Sequence, residues 1–409
     1  TIEYNSDIYN KSTAEQLTNH LEQILIAIID QPFISIQNLE YLNAYEKHQL
    51  LVEFNNTSID YPKDQTIISL FEEQVEKTPD QIALVFEDKE LTYNELNKLS
   101  NQFARNILAM GVERGACVGV LLDRSEWSVI SMISIMKLGC IYVPIDKSLP
   151  TSRVHYMLEN SNSKVLITEE EMGLVGYPEG LILIKTGGHL EEIESYNLEI
   201  NIAGSESSFI IYTSGSTGHP KGVEQTHLTL YNLILWDIQG ARFNTQQRHL
   251  QFSSFSFDSS LHDIYYTLAT GGEIHVINET LRKDLFSLKD YVLEKKISTL
   301  SMPYAALKAM FSEIPDEEFS GHHILEIIST GEQLYVNGGL RKFLKNNASV
   351  KIYNLYGPSE THVVTGISYS FSDGEIPEKA SIGKPIHNTF IYVLDKEMQL
   401  IPIGVEGEI

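Results

Sequence analysis

Apolar positions along residues 66–409 fall into short runs with two alternating periods. TIISLFEEQVEKTPD (66–80) has the period of a helix. QIALVFEDKELTY (81–93) reads as two strands around a Glu-Asp-Lys turn. TYNELNKLSNQFARNILAMG (92–111) predicts a helix ending at Gly111, and SEWSVISMISIMKLG (125–139) one ending at Gly139. Between and after them lie compact apolar runs: ACVGVLL, CIYVPID, KVLITEE, GEIHVIN, ISTLSMP, ILEIIST and VKIYNLYG. Strands and helices in turn predict an α/β fold with mainly parallel sheets covered by helices. Ligands in such folds sit at the carboxyl ends of strands, so residues just after strands are the ones to inspect.

The first 65 residues read differently. Residues 12–30 form an amphipathic helical pattern, with Leu17, Leu21, Ile24, Leu25 and Ile28 on one face and Ser12 with Glu15 as a capping box. VEFNNTSIDYPKDQ (52–65) is rich in turn formers and reads as a linker. The expected organisation is a helical segment over 1–45, a linker over 46–65 and an α/β domain over 66–409.

Composition narrows the function classes. The chain has 409 residues and a net charge of −25, which disfavours nucleic acid and anionic membrane as partners. The longest early apolar run, ILIAII, is too short to span a bilayer. Cys117 and Cys140 lie in apolar runs, so free thiols in a reducing, cytoplasmic setting are expected. The chain does not begin with Met and stops at GVEGEI, which reads as a piece of something longer.

One stretch carries chemistry directly. YTSGSTGHPKG (212–222) follows a strand and packs glycines, hydroxyls and Lys221 into one short loop. Glycine lets backbone N–H groups approach an anion, and Ser, Thr and Lys add donors and charge, so phosphate is the expected guest. It is not a P-loop: counting from Gly215, Pro220 takes the place of the second glycine and Gly222 that of the magnesium-binding hydroxyl. Nor do Gly215 and Gly218 meet the dinucleotide-binding spacing.

This loop resembles the signature of the adenylate-forming enzyme superfamily, and more narrowly the adenylation domains of nonribosomal peptide synthetases. The resemblance extends over LTYNELN (91–97), MKLGCIYVPID (136–146), FSFDSSLHDIY (255–265), NLYGPSET (354–361) and the opening of a further motif in GVEGEI (404–409). Residues 1–45 resemble the end of a condensation domain. The resemblance implies the large N-terminal subdomain of that family, with two αβ sheet subdomains and a distorted β-barrel. It implies a ligase that joins an α-amino acid to ATP and passes the aminoacyl group to a phosphopantetheine thiol. ATP and Mg2+ are the implied cofactors. A peptidyl carrier domain, a condensation domain and a small MbtH-like helper are the implied partners.

By the same resemblance, Thr213, Ser214, Gly215, Ser216, Thr217, Gly218 and Lys221 meet the phosphates, with Thr217 and Lys221 catalytic. Gly331, Asn354, Tyr356, Gly357 and Ser359 line the nucleotide pocket, Tyr356 stacking on adenine. Glu360 is the catalytic magnesium carboxylate, although a Glu after a turn is more often simply exposed. Asp258 clamps the substrate ammonium; a half-buried carboxylate needs a cation, and no basic residue stands near it in sequence. An N-capping role for Asp258 at the following helix is the alternative. Ser259, His262, Ser301, Ile328, Thr330, Leu355, Val363 and Val364 form the side-chain pocket. None carries a fixed charge, which points to a neutral polar or modest aliphatic substrate. His262 contacts that substrate or is a packed core histidine. An acyl- or aryl-acid CoA ligase is the rival reading. In the family, a ribose-binding aspartate, a hinge and a mobile lysine-bearing domain follow, so the chain as given is expected to adenylate slowly.

Overall fold

A computed structural model describes residues 3–62, 65–169, 177–178, 180–188, 190–214, 218–241 and 247–409. These fall into two compact units, residues 61–386 and a smaller one made of residues up to 60 together with 387–409.

The larger unit holds two sheets. The six-stranded sheet runs Ile182–Lys185, Val165–Thr168, Cys117–Leu121, Ile141–Pro144, Ser207–Thr213, Lys221–Thr226, parallel throughout except for the last, antiparallel pair. The nine-stranded sheet has a parallel centre: Lys351–Tyr356, Glu326–Thr330, Thr299–Ser301, Arg248–Gln251, Glu273–Val276, Ile82–Phe86. Antiparallel strands close it, Lys89–Thr92 on one edge and Thr365–Tyr369 then Lys384–Pro385 on the other. The runs read as strands from the sequence are strands here. Ile182–Lys185, Lys221–Thr226, Arg248–Gln251, Thr365–Tyr369 and Lys384–Pro385 were not anticipated; polar residues break the apolar pattern in Lys221–Thr226, Arg248–Gln251 and Thr365–Tyr369.

Local chemistry explains the helix starts. Thr92 accepts from the backbone N–H of Glu95, and the Glu95 carboxylate accepts in return from that of Thr92, at 3.2 and 2.8 Å. This capping box opens helix Tyr93–Ala109, and those bonds hold the Glu95 carboxyl below its ordinary range. Thr66 and Ser69 do the same for Ile67–Lys77. Helix Glu126–Lys137 is buried on nearly every side, as a helix apolar all round should be. Its final residue, Lys137, is buried, which lowers its pKa, and its pairing with Glu72 opposes that shift. The core around it includes Phe71, Tyr93, Phe103, Phe209 and Tyr265, each at most 1% exposed.

In the smaller unit, helix Lys11–Asp30 begins after Asn10 with no side-chain cap, so the Ser12–Glu15 box does not form. Leu17, Leu21, Leu25 and Ile28 stay 44–54% exposed. His20 Nε2 sits 2.8 Å from both carboxylate oxygens of Glu46, which ties that helix to Ala44–His48. The stretch expected as a linker is helical through Glu53. Beyond it the Asn55 side chain donates to the carbonyl of Ile391 (3.1 Å) and accepts from its N–H (2.7 Å). Residues 387–409 carry isolated bridges joining Leu394 to Leu400 and to Glu408. Both thiols are free, Cys140 buried and Cys117 half-buried. Among the described residues no helix is long and apolar enough to cross a membrane.

Candidate active site

The phosphate-type loop joins strands Ser207–Thr213 and Lys221–Thr226, a hairpin in which Thr213 pairs with Lys221. Lys221 is exposed and has no ion-pair partner among the described residues. Gly218 has φ +86°, in the left-handed region that favours glycine. Gly215, Ser216 and Thr217 lie outside the described residues. Thr213 and Ser214 line a cavity of about 190 Å³ that also touches Ser254 and Phe257.

Ser254 and Phe257 also border a second cavity, of about 410 Å³, at the carboxyl ends of the nine-stranded sheet's strands. It brings together most of the residues assigned to the substrate. Asp258, Ser259 and His262 enter from the first turns of helix Asp258–Ala269, while Ser301, Ile328, Thr330 and Leu355 come from three neighbouring strands. Val363 joins them, whereas Val364 is not on the wall. From the nucleotide set, Gly331, Gly357 and Ser359 are on the same wall, while Asn354, Tyr356 and Glu360 are not. Asn354 is buried and donates to the carbonyl of Ser381 at 2.8 Å. Tyr356 ends its strand 37% exposed.

Asp258 is half-buried and is the first residue of its helix; its Oδ1 accepts from the N–H of Ser259 at 2.8 Å. The N-cap position is Phe257 and no side chain caps this helix, so Asp258 is not its N-cap. No Lys or Arg pairs with Asp258 among the described residues. Arg282 lines the same cavity, but it donates to the carbonyl of Phe252 and pairs with Glu279. His262 lines the cavity and is a packed, hydrogen-bonded histidine: its ring bonds through Nε2 to the buried Asp237. Behind it, His249 pairs with Asp263 at 3.4 Å, both buried.

Three residues went unmentioned at the sequence level. His362 is 2% exposed, lines the cavity, and stands edge-on to His262 with ring centroids 6.0 Å apart. Burial pushes its pKa down, opposed by the nearby Asp258 carboxylate. Gln225 is buried on the strand that starts at Lys221. Asp237 could have been noticed as a lone acid inside the apolar run LILWDI.

The Gly357 position is dictated by space: a Cβ there would lie 1.7 Å from the carbonyl oxygen of His362. Glu360 is exposed, and its carboxylate has no partner among the described residues. No cluster of three metal-ligating side chains exists among those residues. An exposed carboxylate of this kind is a group that magnesium, commonly held by one or two carboxylates and the phosphates of its substrate, can take.

Residues 71–409 match the family model of AMP-binding enzymes, and the chain belongs to that family. Over its full length it is similar to the nonribosomal peptide synthetases. It is 36% identical over 413 residues to gramicidin S synthase 2 of Aneurinibacillus migulanus and 38% identical over 414 residues to tyrocidine synthase 2 of Brevibacillus parabrevis. It spans 9% and 11% of the length of those relatives. Among solved structures it resembles a four-domain nonribosomal peptide synthetase bound to AMP and glycine, with TM-score 0.84, 26% identity, and 99% of this chain against 29% of that one. A synthetase in its alpha-methyl-L-serine-AMP bound form shares the fold at TM-score 0.86 and 20% identity, with 99% and 46% covered. The two-sheet α/β architecture expected from the sequence is thus that of the adenylation core.

Proposed function

We propose that this chain activates an α-amino acid for a larger peptide synthetase. The amino acid carboxylate attacks the α-phosphorus of ATP; the bond to the β-phosphate bridging oxygen breaks, and pyrophosphate leaves. The aminoacyl group then passes to the phosphopantetheine thiol of a carrier domain, releasing AMP. Condensation and carrier domains of the same synthetase are its partners.

The observation that carries this reading is the cavity that Asp258 shares with buried and half-buried hydroxyls and aliphatics, with residues of the GPSE loop on its wall. Asp258 would hold the ammonium, and Ser259, Ser301 and Thr330 would offer neutral hydrogen bonds to a side chain. The two reactants are both anionic, so their approach needs cations and donors fixed in place before reaction. Lys221, Thr213 and Ser214 would supply these for the phosphates. Glu360 would hold magnesium, which when bound neutralises phosphate charge.

The test is ATP–pyrophosphate exchange by the full-length protein, over α-amino acids and the matching acids without the amine. Exchange with one or a few amino acids is expected, reduced about 100-fold in Asp258→Ala, because truncating one partner of a buried charge pair costs about 3 kcal/mol. Exchange only with acids lacking the amine would overturn the reading and make the chain an acyl- or aryl-acid ligase.

A further inference from the structure

Two buried side chains join the parts of this site, Gln225 away from the cavity wall and His362 on it. Gln225 lies on the strand that begins at Lys221, and its Nε2 donates to the carbonyls of Ser359 (3.1 Å) and Glu360 (2.8 Å). Carbonyls only accept, so the amide nitrogen must face them. His362 holds the same loop from its other end. The N–H of Val363 donates to His362 Nδ1 at 2.8 Å, so that nitrogen carries no proton. The ring is therefore the neutral tautomer protonated on Nε2, which donates to the main-chain carbonyl of Asp258 at 3.2 Å. The backbone of His362 sits at φ +60°, a conformation uncommon for a non-glycine residue. Its side chain is nonetheless fully enclosed, standing edge-on to Phe209 as well as to His262.

The consequence is a continuous mechanical link. Strand Lys221–Thr226 carries the phosphate-loop lysine, the loop after Tyr356 carries Glu360, and helix Asp258–Ala269 begins with Asp258. Without Gln225 and His362, that loop would have few side-chain ties to either neighbour. Loops with few ties move, and misplacing a reacting group by about 1 Å costs about 100-fold in rate. Resting on the amino-acid-activation reading above, we infer that Gln225 and His362 are positioning residues that clasp the loop at 359–363 and set the spacing between phosphate site, metal carboxylate and ammonium clamp. Neither does chemistry. They act as one unit, since each holds a different end of the same five residues.

The test combines kinetics with a measurement that needs no substrate. Gln225→Met keeps shape and removes the donors; His362→Leu removes both ring nitrogens; His362→Gln keeps a donor near the position of Nε2. In the full-length protein, the first two should each lower kcat for exchange about tenfold, or about 1.4 kcal/mol, while KM for ATP and amino acid moves less than about threefold. The double variant should fall about as far as either single, because one intact tie cannot hold a loop released at its other end. His362→Gln should recover most of the rate. Hydrogen–deuterium exchange of the ligand-free protein should show faster uptake in the peptide covering 357–363 for Gln225→Met and His362→Leu, with melting temperature lowered by only a few degrees. Unchanged uptake in that peptide, or rate losses that multiply in the double variant, would overturn the inference. If the wild type exchanges only with acids lacking the amine, the proposed reaction fails instead, and the clasp is measured with that acid and by the uptake data.

Discussion

Replacing Gly357 by alanine tests whether the GPSE loop must close tightly over the cavity. The new Cβ would meet the His362 carbonyl oxygen at 1.7 Å, its carbon at 2.6 Å and Val363 Cα at 2.9 Å, all main-chain atoms. Real Cβ contacts essentially never fall under 3.0 Å, so the two arms of the loop must part by roughly 1.3 Å. That movement carries His362 away from Asp258 and shifts Val363 on the cavity wall. A displacement of about 1 Å at a reacting site is worth about 100-fold in rate, so kcat/KM for pyrophosphate exchange should fall by about that factor. A matched control exists in the same unit. A Cβ on Gly339 would also lie 1.7 Å from a carbonyl oxygen, that of Phe311, in the contact between helices Gly338–Asn346 and Tyr304–Glu313. Gly339→Ala should lower the melting temperature and leave kcat/KM of the folded enzyme within about threefold of wild type, since it is remote from the cavity. Near-normal exchange by Gly357→Ala, or equal kinetic losses in both variants, would refute the reasoning.

Other outcomes follow from burial and charge. His227 is fully buried, neither ring nitrogen has a partner among the described residues, and burial lowers its pKa to about 4. The unfolded chain takes that proton near pH 6.5, so the folded state binds fewer protons between the two values. Stability should therefore fall by about 3 kcal/mol as pH drops from about 6.5 to about 4, and His227→Phe should flatten that slope in urea titrations. Glu72→Ala would strand the buried Lys137 ammonium and should cost about 3–5 kcal/mol, whereas Glu72→Ala with Lys137→Met should recover much of it. Phe209, on the first strand of the hairpin 207–226, is completely buried, and Phe209→Ala should cost about 3–5 kcal/mol by denaturant unfolding.

Much of the architecture was legible along the chain because its causes are local. Helical periods and unbroken apolar runs mark helices and strands whatever their neighbours, although the one capping box read from the sequence, Ser12–Glu15, does not form while unread ones at Thr66 and Thr92 do. The motif residues were legible too, because the chemistry of a phosphate loop needs small residues and donors in consecutive positions. Helix Lys11–Asp30 shows the limit: its apolar face is plain in the sequence, yet Leu17, Leu21 and Leu25 remain about half exposed. Periodicity tells which face is apolar, not what covers it.

The composition of the site was decided only by the tertiary structure. The ring of His362 meets a carbonyl 104 residues away, and the Gln225 amide reaches carbonyls 134 and 135 residues away. Strand order is equally non-local, for Arg248–Gln251 inserts between Glu273–Val276 and Thr299–Ser301. Asn354 donates to the carbonyl of Ser381, and His262 stands on the cavity wall while bonding Asp237. A side chain's type states what bonds it can make. Which bonds it does make depends on the few groups that folding brings within about 3 Å of it, and no local pattern records them.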